Sequence, residues 1–225
     1  MINYSDLTII CSEQRKKQIS SAKPKKVLVI HNSPNIHYEK KHIIKSKSKK
    51  IKIAYVGTLQ PNRLLLEIAD SISNTNDYEF HIGGFGIYES YLEELSKKNS
   101  NIFFYGPMDY SSVLSLENEC DILFATYNPQ IPNHRYSAPN KIYEAMALGK
   151  PLIVCNNTGI DEFVNRNGIG VSINYDGGEF IAAIKKITNN LDLKLVNKKC
   201  KELYKNNYSW EVMEKKLINE INKIG

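Results

Sequence analysis

Short apolar runs alternate with amphipathic stretches along most of this 225-residue chain. From Ile51 onward the order is regular, with a strand at Ile51–Val56, a helix over about Pro61–Ser73, a strand at Tyr78–Ile82, a helix over about Ile87–Lys98 and a strand at Ile102–Phe104. A helix over about Tyr110–Asn118, a strand at Asp121–Ala125 and a long loop to Pro139 come next. Then follow a helix to Leu148, a strand at Leu152–Cys155, a short helix over about Ile160–Asn165 and a strand at Ile169–Ser172. The rest of the chain has a helical pattern. Continuous apolar runs suit strands buried on both faces, and 3.6-period stripes suit helices laid over them. The alternation predicts an α/β fold: a Rossmann-like, doubly wound, mainly parallel sheet. Ahead of it, Leu7–Ile10 and Val27–Ile30 read as strands flanking a helix that Ser12 can cap, a fragment of a second α/β layer.

In a sheet of this kind ligands bind beyond the carboxyl ends of the strands. That singles out the loops Gly57–Arg63, Gly83–Gly86, Gly106–Asp109, Thr126–Pro139 and Asn156–Asp161. Thr126–Ala138 is the longest, and long loops in compact domains are disproportionately functional.

Charge adds a local feature. The net charge of +6 is concentrated in KKHIIKSKSKKIK at Lys40–Lys52, which has no apolar periodicity. It reads either as a solvated connector or as a contact with a membrane or a partner. The four cysteines, Cys11, Cys120, Cys155 and Cys200, are far apart and show no ligand spacing, which favours buried thiols in a reducing cytosol. The amino terminus lacks the basic flank and apolar core of a signal peptide, and no apolar run approaches the roughly 20 residues of a membrane span. The expectation is a cytoplasmic protein, at the inner face of the membrane if the basic segment is a lipid contact.

The densest candidate chemistry is the helix that opens at Pro139, with Asn140, Lys141 and Glu144 on it and Gly149-Lys150-Pro151 as its stop. The free amides of Asn140 and Lys141 and the positive helix end can hold a phosphate, while Glu144, one turn deeper, can accept two hydrogen bonds from a vicinal diol. An ordinary amphipathic helix with Glu144 exposed and Lys141 in an intrahelical ion pair also accounts for these residues.

The segment Glu144–Pro151, EAMALGKP, resembles the donor-site helix of family 4 GT-B glycosyltransferases, where a Glu is followed after seven residues by a second Glu heading such a run. The resemblance implies that Glu144 binds the donor ribose and that the amides of Asn140 and Lys141 contact the diphosphate. The family's first Glu, which meets the sugar hydroxyls, is replaced here by Tyr136. The Pro139-Asn140-Lys141 form is similar to a subgroup of bacterial surface-polysaccharide transferases in which that Glu is often replaced.

Other segments match in the same order. Ile53–Leu59 resembles the opening strand and glycine turn, with Gly57 in the turn. Thr58 stands where the family commonly has Arg, and Arg63 takes the place of a Lys that reaches the diphosphate. His81–Gly86 resembles the second strand and its Gly-rich turn, where Gly84 lets a nucleotide approach the backbone, although a tight turn without ligand contact reads equally well. It is no dinucleotide fingerprint, because the third glycine position is Glu89. Gly106-Pro107 matches a loop flanking the base, and Asn156–Glu162 a turn that closes the site. Arg135 is a further basic candidate.

By this resemblance residues 1–32 are a remnant of the N-terminal acceptor domain, 33–50 a basic linker, 51–207 the nucleotide-sugar-binding domain and 208–225 the crossing helix. The implied function is retaining transfer from a nucleoside diphosphate sugar to a glycan or lipid-linked acceptor in polysaccharide biosynthesis. An acceptor-binding domain or a second polypeptide would complete the cleft, and nucleic acid has no part in it. No cofactor or metal is expected: no D-x-D pair occurs, and in the family basic side chains and the helix dipole neutralise the leaving diphosphate. No catalytic residue can be named. Two alternatives stay open: a non-catalytic nucleotide-binding scaffold subunit of a split transferase, and a sugar-nucleotide epimerase of the same architecture.

Overall fold

A computed structural model describes residues 2–223, so residue 1 of the expected segment 1–32 and residues 224 and 225 of 208–225 lie outside the described residues. The chain starts with a 3-10 turn, β1 (Thr8–Ile10), α1 (Arg15–Gln18) and β2 (Val27–Val29), and the two strands form a small parallel sheet.

The main body follows as β3 (Ile51–Thr58), α2 (Leu65–Ser73), β4 (Tyr78–Phe85), α3 (Glu89–Lys98), β5 (Ile102–Phe104), α4 (Tyr110–Glu119), β6 (Ile122–Ala125), α5 (Asn140–Leu148), β7 (Leu152–Cys155), α6 (Ile160–Asn167) and β8 (Gly170–Ile173). It closes with α7 (Phe180–Asn190), α8 (Leu193–Leu203), a π-helical turn at Tyr204–Tyr208 and α9 (Trp210–Ile221). The large sheet is parallel throughout, in the order β5-β4-β3-β6-β7-β8. The order reverses direction between β3 and β6, so the loops after those two strands diverge and open a crevice.

The period of two along β3 divides the core. Ile53 and Tyr55 face α2, α3 and α7 in one cluster, while Ala54 and Val56 face α4, α5, α6 and α8 in the other. Both faces of the sheet are covered, which is why its strands carry apolar residues on both sides.

Three expected elements differ. Ser12 does not cap α1, which begins at Arg15 without a side-chain cap; its hydroxyl donates to the Tyr136 carbonyl at 3.3 Å. Pro61 does not start α2; Asn62 and Leu64 take left-handed φ of 67° and 56°, and the helix begins at Leu65. Tertiary bonds hold that turn open: the Thr126 hydroxyl donates to the Arg63 carbonyl, and the Asn128 amide donates to the Asn62 carbonyl at 3.3 Å. Of the glycines read as a turn after the second strand, Gly83 and Gly84 lie inside it and Gly86 just past its end. The β3–β4 ladder continues through Gly57↔Gly84 to Thr58↔Phe85, and a Cβ on Gly84 would lie 1.8 Å from the Gly57 carbonyl oxygen.

The basic connector is not loose. It runs as an irregular strap along α4, where the amides of Ile43 and Ile44 donate to the Glu119 carboxylate at 2.7 and 3.0 Å. Ile44 is buried in the core, Ser46 bonds Glu79 at 2.8 Å, and Lys45, Lys47 and Lys49 point outward. At the other end of the chain α9 returns to the small sheet, where the His31 amide meets Met213 Sδ at 3.2 Å and Lys216 Nζ donates to the Val29 carbonyl at 2.9 Å. No helix among the described residues is long and apolar enough to cross a membrane.

Candidate functional site

A cleft of about 450 Å³ opens at the point where the strand order reverses. Gly57 and Thr58 reach it from the end of β3, Arg63 from the turn before α2, Gly84 from β4, and Pro139, Asn140, Lys141 and Glu144 from the start of α5. These eight residues, chosen from sequence and scattered over some ninety positions, thus share one cavity.

Arg135 and Tyr136 do not join them. They border a neighbouring open cleft of about 480 Å³ between the small sheet's α1 and the loop after β7, along with Gln14, Lys17 and Asn157. Arg135 Nε is committed to the Pro129 carbonyl at 2.7 Å, and Gln14 Nε2 ties the two layers by donating to the Gly159 carbonyl at 3.2 Å.

The start of α5 is built to leave donors free. Its first residue follows Pro139, which offers no side-chain cap, whereas α4, α8 and α9 are capped by Asp109, Asp192 and Ser209. An uncapped helix of nine residues presents unsatisfied N–H groups and the positive end of its dipole. Arg63 contributes more donors. Its guanidinium lies 3.9 Å from the centroid of the Tyr127 ring, and its Nε and Nη1 are buried without any hydrogen-bond partner.

Glu144 is not the exposed residue of an ordinary amphipathic helix. It is 4% exposed and accepts a hydrogen bond from the Tyr110 hydroxyl at 3.0 Å. Burial, followed by the charge of Glu144, pushes the Tyr110 phenol well above its ordinary range, so the phenol stays the donor. Lys141 does not pair with Glu144 either. Its Nζ lies 3.9 Å from Glu117 Oε1 on α4 and 4.6 Å from the centroid of the Tyr55 ring. Burial holds the Tyr55 phenol up at about 12, so this ring meets the ammonium as a neutral aromatic face.

Sequence reasoning missed Tyr55, Met108, Tyr110 and Tyr127 as lining residues, and Glu117 behind them. Glu117 had a signal. It falls on the apolar stripe of Val113 and Leu116 on α4, which Cys120 continues just past the helix and where an acid is out of place.

Chemically, the cleft offers an uncapped helix end, a guanidinium with free donors and an ammonium on one side. A carboxylate able to accept from hydroxyls sits one turn further in. Such a set suits a polyanion joined to a diol.

Residues 50–190 match a family model described as glycosyl transferases group 1. No curated protein sequence matches the chain. Among solved structures, sucrose-phosphate synthase from Thermosynechococcus elongatus superposes with a TM-score of 0.75 at 15% identity, over 99% of this chain and 59% of that one. HepE of Anabaena, solved with UDP-glucose, gives 0.74 at 15% identity, over 99% and 65%. TarM, known from S. aureus, gives 0.70 at 21% identity, over 97% and 44%. The chain therefore spans about half to two thirds of the length of these neighbours, and at such identities they share its fold.

Proposed function

Because this chain belongs to the glycosyl transferases group 1 family, we propose that it binds a nucleoside diphosphate sugar in the cleft at the β3/β6 divergence and supplies the donor half of a sugar transfer. The observation that carries this reading is Arg63. Two buried guanidinium N–H groups without partners, lining the same cleft as an uncapped helix end, are destabilising until an anion or water completes them. A diphosphate does so, with Arg63, Lys141 and the amides of Asn140 and Lys141 around it. Glu144 then takes the ribose hydroxyls, Tyr110 steadying its carboxylate. Gly57, Thr58 and Gly84 form the backbone floor, and the sugar extends past Pro139 towards Arg135 and Tyr136.

On departure of the diphosphate the growing negative charge is met by Arg63, Lys141 and the α5 dipole, preorganised and without a metal in the scheme. Transfer with retention at the anomeric carbon, to a glycan or lipid-linked acceptor of surface-polysaccharide assembly, is the finer reading, supported by the resemblance of the Pro139-Asn140-Lys141 segment. The other wall of the cleft and the acceptor groups come from further chain or from a second polypeptide.

Titration calorimetry with UDP, GDP, ADP and their sugar conjugates tests the site. Saturable binding to the wild type, weakened by about 1.5–3 kcal/mol in Glu144→Ala, is the expected result. Binding that Glu144→Ala leaves untouched would overturn the ribose assignment, and no binding of any nucleotide would overturn the donor-site reading.

A further inference from the structure

Glu117 is 1% exposed, on the apolar stripe of α4. A carboxylate in such a place is strongly disfavoured unless a cation compensates it and hydrogen bonds satisfy both oxygens. Only the first condition is partly met. Oε1 lies 3.9 Å from Lys141 Nζ, and Oε2 is buried with no partner among the described residues. Lys141 is itself 9% exposed, and its Nζ sits 3.4 Å from where a Cβ on Gly57 would be, at the floor of the cleft. The ammonium assigned to the diphosphate therefore already has a buried carboxyl group beside it, held loosely.

One ammonium cannot fully compensate both a diphosphate and a buried carboxylate. We propose that Glu117 is a positioning residue acting through Lys141: it holds the ammonium at the cleft floor before a nucleotide binds, and takes up a proton when a nucleoside diphosphate engages that lysine. The proton comes from solvent and ends on the Glu117 carboxylate, where the unpartnered Oε2 is free to carry it; no other bond changes. The inference rests on the diphosphate reading of the cleft.

The surroundings of Glu117 agree. Burial, then the charge of Glu144, raises its carboxyl well above the ordinary range, and Lys141 is the group that opposes them. The other titratable groups in its field are Tyr110 on α4, Cys120 just after it and Tyr38 on the strap, each with its own ionisation pushed up by burial. None of these supplies a positive charge. Once Lys141 turns to phosphate, every remaining influence favours the neutral acid.

Calorimetry of the full chain with UDP, GDP and ADP, in buffers of different ionisation enthalpy, reads the proton directly. For the nucleotide that binds, uptake of a fraction of a proton is expected, with affinity falling as pH rises beyond the diphosphate's own titration. Glu117→Gln should abolish the uptake, flatten the profile and bind at least about threefold more tightly at the upper pH. Affinity for the matching nucleoside should not change, a pattern that a merely structural role would not produce. Heats independent of buffer, or a Glu117→Gln variant that weakens nucleotide and nucleoside alike, would overturn the proposal and leave the donor site standing. Absence of binding by the wild type would remove both. The buffer dependence of the wild type decides the matter even if the variant does not fold.

Discussion

Gly84 and Gly106 both have φ in the positive region, at 128° and 65°, yet they do different work. A side chain on Gly84 would collide with the backbone of Gly57, whereas a Cβ on Gly106 would meet nothing within 4 Å. Gly84→Ala should therefore cost about 3 kcal/mol or more, because the β3–β4 ladder must part, while Gly106→Ala costs about 1 kcal/mol of backbone strain alone. Urea denaturation of the two variants checks this, and equal losses would show that strain rather than close approach governs Gly84. At this scale the sequence was informative about identity and poor about partners. Pro139, Asn140, Lys141 and Glu144 were readable because a helix start fixes its own geometry. That Lys141 turns to Glu117 instead of Glu144 depends on how α4 packs against α5, which no local spacing encodes.

Elements were legible where periodicity decides them and not where tertiary bonds do. β5, α5 and β7 fall on the residues expected, since each is bounded by its own breakers. The start of α2 was misplaced because Pro61 suits a first helical turn, while the bonds from Thr126 and Asn128 hold residues 62–64 in a different one. The strap is the larger surprise: a lysine-rich run reads as solvated, but Ile44 and Ser46 alternate inward between its charges. Its anchor is the Glu119 carboxylate. Removing it in Glu119→Ala leaves two backbone amides unpaired, with an expected loss of about 1–3 kcal/mol. Limited trypsin digestion should then cut at Lys45, Lys47 and Lys49 well before the main body is degraded; an unchanged cleavage rate would show that the core contact of Ile44 alone secures the strap.

Across the whole molecule, a buried histidine and a half-buried one set a pH response. Burial is the leading cause that lowers both His31 and His81 to about 4, so each is neutral in the fold and becomes charged when the chain unfolds below about pH 6.5. Between those values the unfolded state binds more protons, and stability falls as pH falls. Unfolding free energies from urea titrations should decline steadily from about pH 7 to about pH 4.5, by a few kcal/mol in all, and a flat profile would contradict the neutral state of these rings. His81, bonded to Tyr105 at 2.8 Å and stacked on Phe103, belongs to the sheet, whereas His31, bonded to Tyr143 at 2.8 Å, lies between the small sheet and the main body. Protonation thus loosens the core and the seam between layers together.

That seam is crossed by the chain twice, once outward through residues 31–35 and once back through 204–209, and the Tyr204 hydroxyl pins the crossings to each other by donating to the Pro34 carbonyl at 2.6 Å. The edge contact of the His31 and Tyr208 rings joins the same crossings a second time, so together they act as a clasp that resists sliding of one layer over the other. At the cleft that holds Gln14 and Lys17 against Arg135, the bond from Gln14 to the Gly159 carbonyl is a second rivet in the same seam.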